Sequence, residues 1–135
     1  MRRVLLIDQN RSVTEALTHA CLEAGVAMRT VETLCEGVRY LLDVPVSLVL
    51  VDAGLVRLSP AEQWQLFDSV APEAPVIVLV KPNAPLEEHV RFEAQGFRVA
   101  AKPLDMHELL AKLDLAADAA PARRDAAARL RALCG

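Results

Sequence analysis

The stretch LVLVDAGL, residues 48–55, decides the fold and raises the question of function. Four apolar residues run directly into Asp52, and the chain then turns through Ala53 and Gly54. An apolar run that ends in a turn is typical of a strand covered on both faces of a parallel sheet. Ligands of such sheets bind at the carboxyl ends of the strands, where Asp52 is expected to lie.

Four other short runs predict further strands of the same sheet. Three of the runs are apolar at nearly every position, but one is interrupted by Arg29 and Thr30 and is therefore predicted to lie at an edge. The five predicted strands are VLLI (4–7), VAMRTV (26–31), VSLVLV (46–51), VIVLV (76–80) and FRVAA (97–101).

The segments between these runs carry the signals of helix ends. Several match the capping box, in which an N-cap side chain and a Glu three residues later satisfy each other's backbone donors. The boxes are Ser12–Glu15, Thr33–Glu36, Ser59–Glu62 and Asp105–Glu108. Another helix is predicted to start around Asn83 to Pro85, and Gly25 and Gly96 stand where two helices must stop. This β-α alternation predicts an α/β fold, a doubly wound five-stranded parallel sheet with helices on both faces.

Length and charge predict one main domain followed by a tail. The 135 residues suit a single domain, and a net charge of −3 argues against a dedicated nucleic-acid binder. Residues 121–135 hold four Arg against one Asp. We therefore divide the chain into a domain at 1–118 and an Ala/Arg-rich helical tail or linker at 119–135. The tail has three interpretations: a frayed extension, a linker toward an output domain, or a dimer contact.

Cysteine and hydropathy patterns predict a cytoplasmic protein without membrane contact. The three cysteines, Cys21, Cys35 and Cys134, are odd in number and follow no metal-ligand spacing. The apolar run near the start is too short for a signal peptide, and no stretch approaches the ~20 apolar residues of a membrane span.

Three charged residues are expected at the carboxyl ends of the predicted strands. Asp8 follows the first, Asp52 the third and Lys102 the fifth. Two carboxylates from neighbouring strands suit Mg²⁺, which needs few protein ligands, and a lysine would pair with a carboxylate or with phosphate oxygens. The set predicts a phosphoryl-transfer site with an aspartate nucleophile. Each residue taken alone also fits a plain turn or helix cap.

Four segments together resemble the receiver domain of two-component response regulators, over residues 3–117. They are IDQN (7–10), LVLVDAGL (48–55), PVIVLV (75–80) and AKPLDMHEL (101–109). The resemblance implies a flavodoxin-like, CheY-like sheet of strand order 2-1-3-4-5. It also implies a signalling module rather than an enzyme, with a histidine kinase or another signalling protein as partner. A homodimer would use the face formed by the fourth helix, fifth strand and fifth helix.

The resemblance assigns roles to individual residues. Asp52 falls on the phosphoacceptor position, and Lys102 on the position of the lysine that contacts the phosphoryl group and the carboxylates. Mg²⁺ would be held by Asp8, Asp52 and the backbone carbonyl of Gly54, with a weak contribution from Gln9.

Four positions depart from the family pattern. Gln9 replaces the second acidic residue, which lowers the expected Mg²⁺ affinity, and Val80 replaces a Ser or Thr whose hydroxyl would bond the phosphoryl group. Lys81 replaces a small residue beside the site, and Val99 replaces the aromatic residue that turns inward on activation. We therefore expect an atypical receiver that acts through protein–protein interaction. The alternative is a phosphorylation-independent pseudo-receiver, serving as a dimerisation module or as the N-terminal regulatory domain of a transcription factor.

Two other classes of protein fit less well. A haloacid-dehalogenase-type phosphatase would need a second Asp where this chain has Asn10. A flavodoxin-like FMN protein would need a phosphate-binding loop after the first strand, but DQNRSV (8–13) contains no Gly.

Overall fold

A computed structural model describes residues 3–55, 58–102, 105 and 108 of the chain. The strands are β1 (Arg3–Ile7), β2 (Ala27–Val31), β3 (Leu48–Asp52), β4 (Val76–Val80) and β5 (Arg98–Ala101). The helices are α1 (Arg11–Glu23), α2 (Leu34–Asp43), α3 (Pro60–Val70) and α4 (Leu86–Gln95), with a 3₁₀ turn at Ala53–Leu55 directly after β3.

The five strands form one parallel sheet of order β2-β1-β3-β4-β5. This confirms the doubly wound, flavodoxin-like fold, and it places the interrupted strand β2 at an edge as predicted. The chain moves outward from β1 to β2 and then crosses back to place β3 on the other side of β1. Strand order therefore reverses between β1 and β3, and a crevice opens at their carboxyl ends.

The sheet is buried on both faces because its strands are apolar at nearly every position. Leu5 and Ile7 point to the face packed by α2, α3 and α4, whereas Val4 and Leu6 point to the face packed by α1. All five residues of β4 are buried. The carboxyl edge of the sheet is thus a rigid base for the side chains that follow the strands.

Two of the predicted capping boxes start helices, and one does not. Thr33 and Ser59 are the N-caps of α2 and α3, and Ser59 forms the complete reciprocal box with Glu62. The prediction for Ser12 was wrong, because the Asn10 side chain accepts the N–H groups of Ser12 and Val13, so α1 starts two residues earlier. The short amide of Asn10 is a better N-cap than a residue already inside the first turn.

Gly96 ends α4 as predicted, with a left-handed φ of 108°. A β-carbon at Gly96 would lie 2.9 Å from the Trp64 ring of α3, so a side chain there would require the ring to shift. Gly25 follows α1 with a φ of 73°, and α4 starts within the predicted region, with Pro85 as its N-cap.

The predicted fifth helix and the boundary at residues 118/119 lie outside the described residues. One bond of the fourth capping box is described, since the Glu108 N–H donates to Asp105 Oδ1 at 3.4 Å. Within the ranges that the structure covers, no helix is long and apolar enough to cross a membrane.

Candidate functional site

The candidate site lies where β1, β3 and β5 end. Ile7 of β1 pairs with Val51 of β3, so Asp8 and Asp52 leave neighbouring strands side by side. Lys102 follows β5 directly, and its backbone N–H donates to the carbonyl of Val80 at 2.9 Å, which continues the sheet by one bond. Strand pairing in the sheet therefore fixes the backbone positions of Asp8, Asp52 and Lys102.

Lys102 joins the two carboxylates across the end of β4. Its Nζ lies 2.7 Å from Asp8 Oδ2 and 3.0 Å from Asp52 Oδ1. The exposed fraction of the side chain is 2% for Asp8, 14% for Lys102 and 21% for Asp52. Asp52 is therefore the more accessible of the two carboxylates. The three residues that the sequence placed at strand ends are brought together as one cluster.

The ammonium of Lys102 stays charged in this cluster. Burial lowers the pKa of Lys102, but hydrogen bonds and attraction from Asp8 and Asp52 act more strongly in the other direction, so the pKa rises above 10.5. A cation is held permanently between the carboxylates at physiological pH.

Asp8 is held in place through both of its carboxylate oxygens. Its Oδ1 accepts the Asn10 N–H at 2.9 Å, and its buried Oδ2 is paired with the ammonium of Lys102 at 2.7 Å. The side chain of Asp8 is therefore fixed at the edge of the site.

Gly54 lies beside the carboxylate of Asp52. A β-carbon at Gly54 would lie 3.4 Å from Asp52 Oδ2, so the 3₁₀ turn runs close to that carboxylate. Over the described residues, no group of three or more His, Cys, Asp or Glu is placed to hold a metal. The chemistry of the donors present, the two carboxylates of Asp8 and Asp52, fits Mg²⁺ completed by water better than it fits a softer metal.

Three of the atypical residues differ in their exposure and in their position relative to the cluster. Gln9 is exposed and makes no side-chain hydrogen bond within the described part of the chain. Val80 is 1% exposed and adds an apolar surface at the end of β4. Lys81 is exposed and shares a cleft of about 310 Å³ with Asp52 and Gly54. A second cationic residue therefore borders the cluster, at a position where the receiver domains that the sequence resembles have a small neutral residue.

Val99 lies in β5, paired with Val78, and packs on the core beneath α2, α3 and α4. Its small side chain is already part of the apolar layer. The strand thus holds no aromatic ring at the position where the family has its switch residue.

The wall formed between β4 and α4 was not found from the sequence. Asn83, Pro85 and Glu88 line the same cleft as Asp52. Their only sequence signal is their position after the carboxyl end of a strand, which is the edge where ligands of this fold bind.

The fold matches many solved receiver structures. A dimeric, beryllofluoride-activated receiver domain of NtrC4 superposes with a TM-score of 0.77 at 21% identity, covering 89% of this chain and 99% of that chain. A CheY-like receiver domain protein from Methanospirillum hungatei gives 0.75 at 20% identity, with 90% and 97% covered.

A third match carries a metal. The receiver domain of a sensor histidine kinase from Pseudomonas aeruginosa, with magnesium coordinated in its active-site cleft, gives a TM-score of 0.72 at 19% identity, with 87% and 98% covered. No protein-family model matches the sequence, and no curated protein matches it. At these identities the likeness establishes the CheY-like fold.

Proposed function

We propose that this chain is a receiver of a two-component phosphorelay, which accepts a phosphoryl group on Asp52 and signals through protein–protein contacts. The observation that carries the proposal is the bridge from Lys102 to Asp8 and Asp52 at the carboxyl edge of the sheet. A structural ion pair needs one carboxylate, whereas a lysine shared by two carboxylates beside an open cleft suits phosphoryl transfer.

The proposed reaction transfers phosphorus from a kinase histidine to Asp52. A carboxylate oxygen of Asp52 forms a bond to phosphorus as the bond from phosphorus to the imidazole nitrogen breaks, and the nitrogen keeps the electron pair. Asp52 Oδ2 has no ion-pair partner within the described residues and is available as the nucleophile. Lys102 contacts the other oxygen and offsets the negative charge that the phosphoryl group brings.

Asp8, Asp52 and the Gly54 carbonyl are the residues that would hold Mg²⁺. The bound ion supplies positive charge to the phosphoryl oxygens. Gln9 contributes no charge, so we expect weaker Mg²⁺ binding than a pair of acidic residues would give. The magnesium in the Pseudomonas aeruginosa receiver supports this assignment by analogy of fold.

A second candidate is a pseudo-receiver that works without phosphate. Two observations favour it: the buried side chain of Val80 at the end of β4, and the exposed Lys81, which lines the same cleft as Asp52. The first leaves a phosphoryl oxygen without a hydroxyl partner, and the second puts a cationic residue on the wall of that cleft.

The test is intact-mass spectrometry after incubation with acetyl phosphate and Mg²⁺, beside the Asp52→Asn variant. A receiver gains the mass of one phosphoryl group, and the variant gains none. A folded protein that gains no mass, while a known receiver is labelled in parallel, rejects the first candidate in favour of the second.

Partner contacts are proposed for the face that includes α4 and β5. Leu86 and Val90 lie one helical turn apart on α4 and are 76% and 53% exposed. Exposed apolar residues paired in this way suit a homodimer or a signalling partner. We also propose a cytoplasmic location, in keeping with the free thiols of Cys21 and Cys35.

A further inference from the structure

An apolar groove lies at the amino edge of the sheet, the edge opposite to the Asp52 site. It is formed where α2 and α3 end and lead into β3 and β4, and its volume is about 380 Å³. Its wall includes Leu42, Val46, Val70 and Pro72, and the Leu42 side chain is 66% exposed. A water molecule takes about 30 Å³ in the liquid, so the groove has room for about a dozen heavy atoms, enough for two leucine side chains.

The charges around this groove favour a cationic occupant. Asp43, the last residue of α2, and Glu73 line it and are exposed, and no Lys or Arg is part of its described wall. Both α2 and α3 end beside the groove, and neither has a basic residue in its last turn. The carboxyl end of a helix carries partial negative charge, which adds to that of the acidic side chains. The groove therefore suits a segment that is apolar on one side and positively charged on the other.

The predicted tail of this chain has that chemistry. It lies outside the described residues, but its sequence holds four Arg against one Asp in residues 121–135. Leu130 and Leu133 are three residues apart, the spacing of side chains that share one face of a helix, and Arg129 and Arg131 flank Leu130. Two leucines and neighbouring arginines match the volume and the charge of the groove.

The tail is also expected to start near the groove. In a β-α unit the helix returns to the amino edge of the sheet, and a fifth helix over 105–118 would cover about 21 Å, more than the ~17 Å of a five-residue strand. Two strand spacings, about 10 Å, separate β5 from β3. Residues 119–128 reach roughly 30 Å when extended, which is enough to bring the last residues to the groove.

We propose that the groove between the ends of α2 and α3 binds the tail of the same chain. Leu130 and Leu133 fill the apolar part, and the arginines lie beside Asp43 and the two helix ends. The docked tail covers Leu42 on the side of the molecule opposite to Asp52. This inference does not depend on Asp52 being phosphorylated.

The test adds a thiol at the groove and follows its disulfide with Cys134 in the full chain. Cys35→Ser removes an exposed native thiol, whereas Cys21 is buried and is kept. In that background, with oxidised glutathione, Leu42→Cys is expected to join Cys134 about tenfold faster than Leu22→Cys, because docking raises the effective concentration. Leu22 is a matched control, since it is 71% exposed and lies near the same edge, at the end of α1. Intact mass gives the rate, and peptide mapping identifies the linked thiols.

A second pair of variants tests the charges. Added to Leu42→Cys, Asp43→Lys should slow closure about threefold, the size of effect that an exposed charge pair gives. Glu32→Lys makes the same charge change at an exposed position outside the groove and should leave the rate unchanged. Equal slowing by the two lysines overturns the proposal, because closure would then follow net charge.

Two results of the disulfide experiment also overturn the proposal. Equal closure rates for Leu42→Cys and Leu22→Cys would mean that the tail has no preferred site at the amino edge. A disulfide that joins two chains, in place of one within a chain, would assign the groove to a second copy of the protein.

Discussion

At the scale of single residues, the site depends on Lys102 lying between two carboxylates. Asp8 is almost fully buried and has no second cation beside it in the described residues. Such a carboxylate is tolerated only when it is paired, because an uncompensated buried charge is expensive. The ion pair between Lys102 and Asp8 therefore contributes to the stability of the fold, whatever the chemistry of Asp52.

Removal of the ammonium is expected to destabilise the protein. Lys102→Met should lower the free energy of unfolding by about 3 kcal/mol, the lower end for a broken buried pair, because Asp52 is partly open to water. Urea unfolding at neutral pH measures the change. Lys81→Met removes a neighbouring exposed ammonium and should change stability by no more than about 0.5 kcal/mol. Equal effects of the two substitutions would contradict the prediction.

The raised pKa of Lys102 predicts a loss of stability at alkaline pH. Its pKa is 10.5 in the unfolded chain and higher when folded, so the stabilisation is complete below pH 10.5. It disappears as pH rises through the folded pKa, where the ammonium loses its proton. The difference in unfolding free energy between wild type and Lys102→Met should therefore stay constant from pH 7 to about 10 and shrink above that. A difference unchanged at pH 12 would show that packing, not charge, is the cause.

Because Val80 has no hydroxyl group, we expect acetyl phosphate to phosphorylate Asp52 slowly, and a Thr at this position should speed the reaction. Val80→Thr keeps the branched shape and adds a donor for a phosphoryl oxygen, so labelling by acetyl phosphate should quicken about tenfold, less than the 10²–10³ of a well-placed donor. Time-resolved intact mass measures the rate. Val80→Ala removes bulk without adding a donor and should give no gain. If both variants were labelled faster by a similar factor, the cause would be the change in side-chain size and not the added hydroxyl donor.

At the scale of elements, the helix ends combine backbone conformation with packing. Gly25 and Gly96 both have positive φ, but a β-carbon at Gly25 would meet nothing within 4 Å, whereas one at Gly96 would meet the Trp64 ring. Gly96 therefore serves two needs, the left-handed C-cap of α4 and the close approach of α3. The ring of Trp64 also packs edge-on against Phe97, 5.2 Å between centroids, so this contact ties α3 and α4 to the start of β5.

Alanine substitutions at Gly25 and Gly96 distinguish the cost of the left-handed backbone conformation from the cost of packing against Trp64. Gly25→Ala should cost about 1 kcal/mol for the left-handed conformation alone. Gly96→Ala should cost about 2–3 kcal/mol, because overpacking against Trp64 adds to the same strain. Thermal unfolding of both variants measures the difference, and a red or blue shift of Trp64 emission should appear only in Gly96→Ala. Equal costs would mean that the ring moves aside freely.

At the scale of the whole molecule, the charged cluster and the exposed apolar pair of α4 lie on different parts of the surface. The cluster of Asp8, Asp52 and Lys102 lies at the carboxyl edge, where strand order reverses. The exposed apolar pair on α4 lies on the helix whose first turn also lines the Asp52 cleft. A change at the cleft therefore has a short physical route to that surface, through α4 itself.

The proposed dimer face gives the last prediction. Val90→Asp places a charge in the exposed apolar pair of α4 and should abolish concentration-dependent dimers in sedimentation velocity. Leu22→Asp changes an apolar residue of α1 that is 71% exposed and should leave the dimer unchanged. Monomers at every concentration in the wild type, or equal losses in the two variants, would reject this face.

The sequence by itself determined the class of fold and the positions of the charged residues. Apolar runs and helix-end signals depend on neighbours within a few residues, so they can be recognised in the chain, and a residue that follows a parallel strand must lie at the carboxyl edge. That reasoning placed Asp8, Asp52 and Lys102 correctly. It failed at Ser12, where two possible N-caps lie two residues apart and only the geometry after β1 selects Asn10.

Only the tertiary structure decided what meets at that edge. The reach of Lys102 across β4 to both carboxylates depends on strand order and register, which are set by contacts between distant segments. Gln63 and Glu88 line one cleft because α3 and α4 pack side by side. Neither carries a local pattern, since burial and the loss of a hydrogen-bond partner arise only when separate elements are brought together.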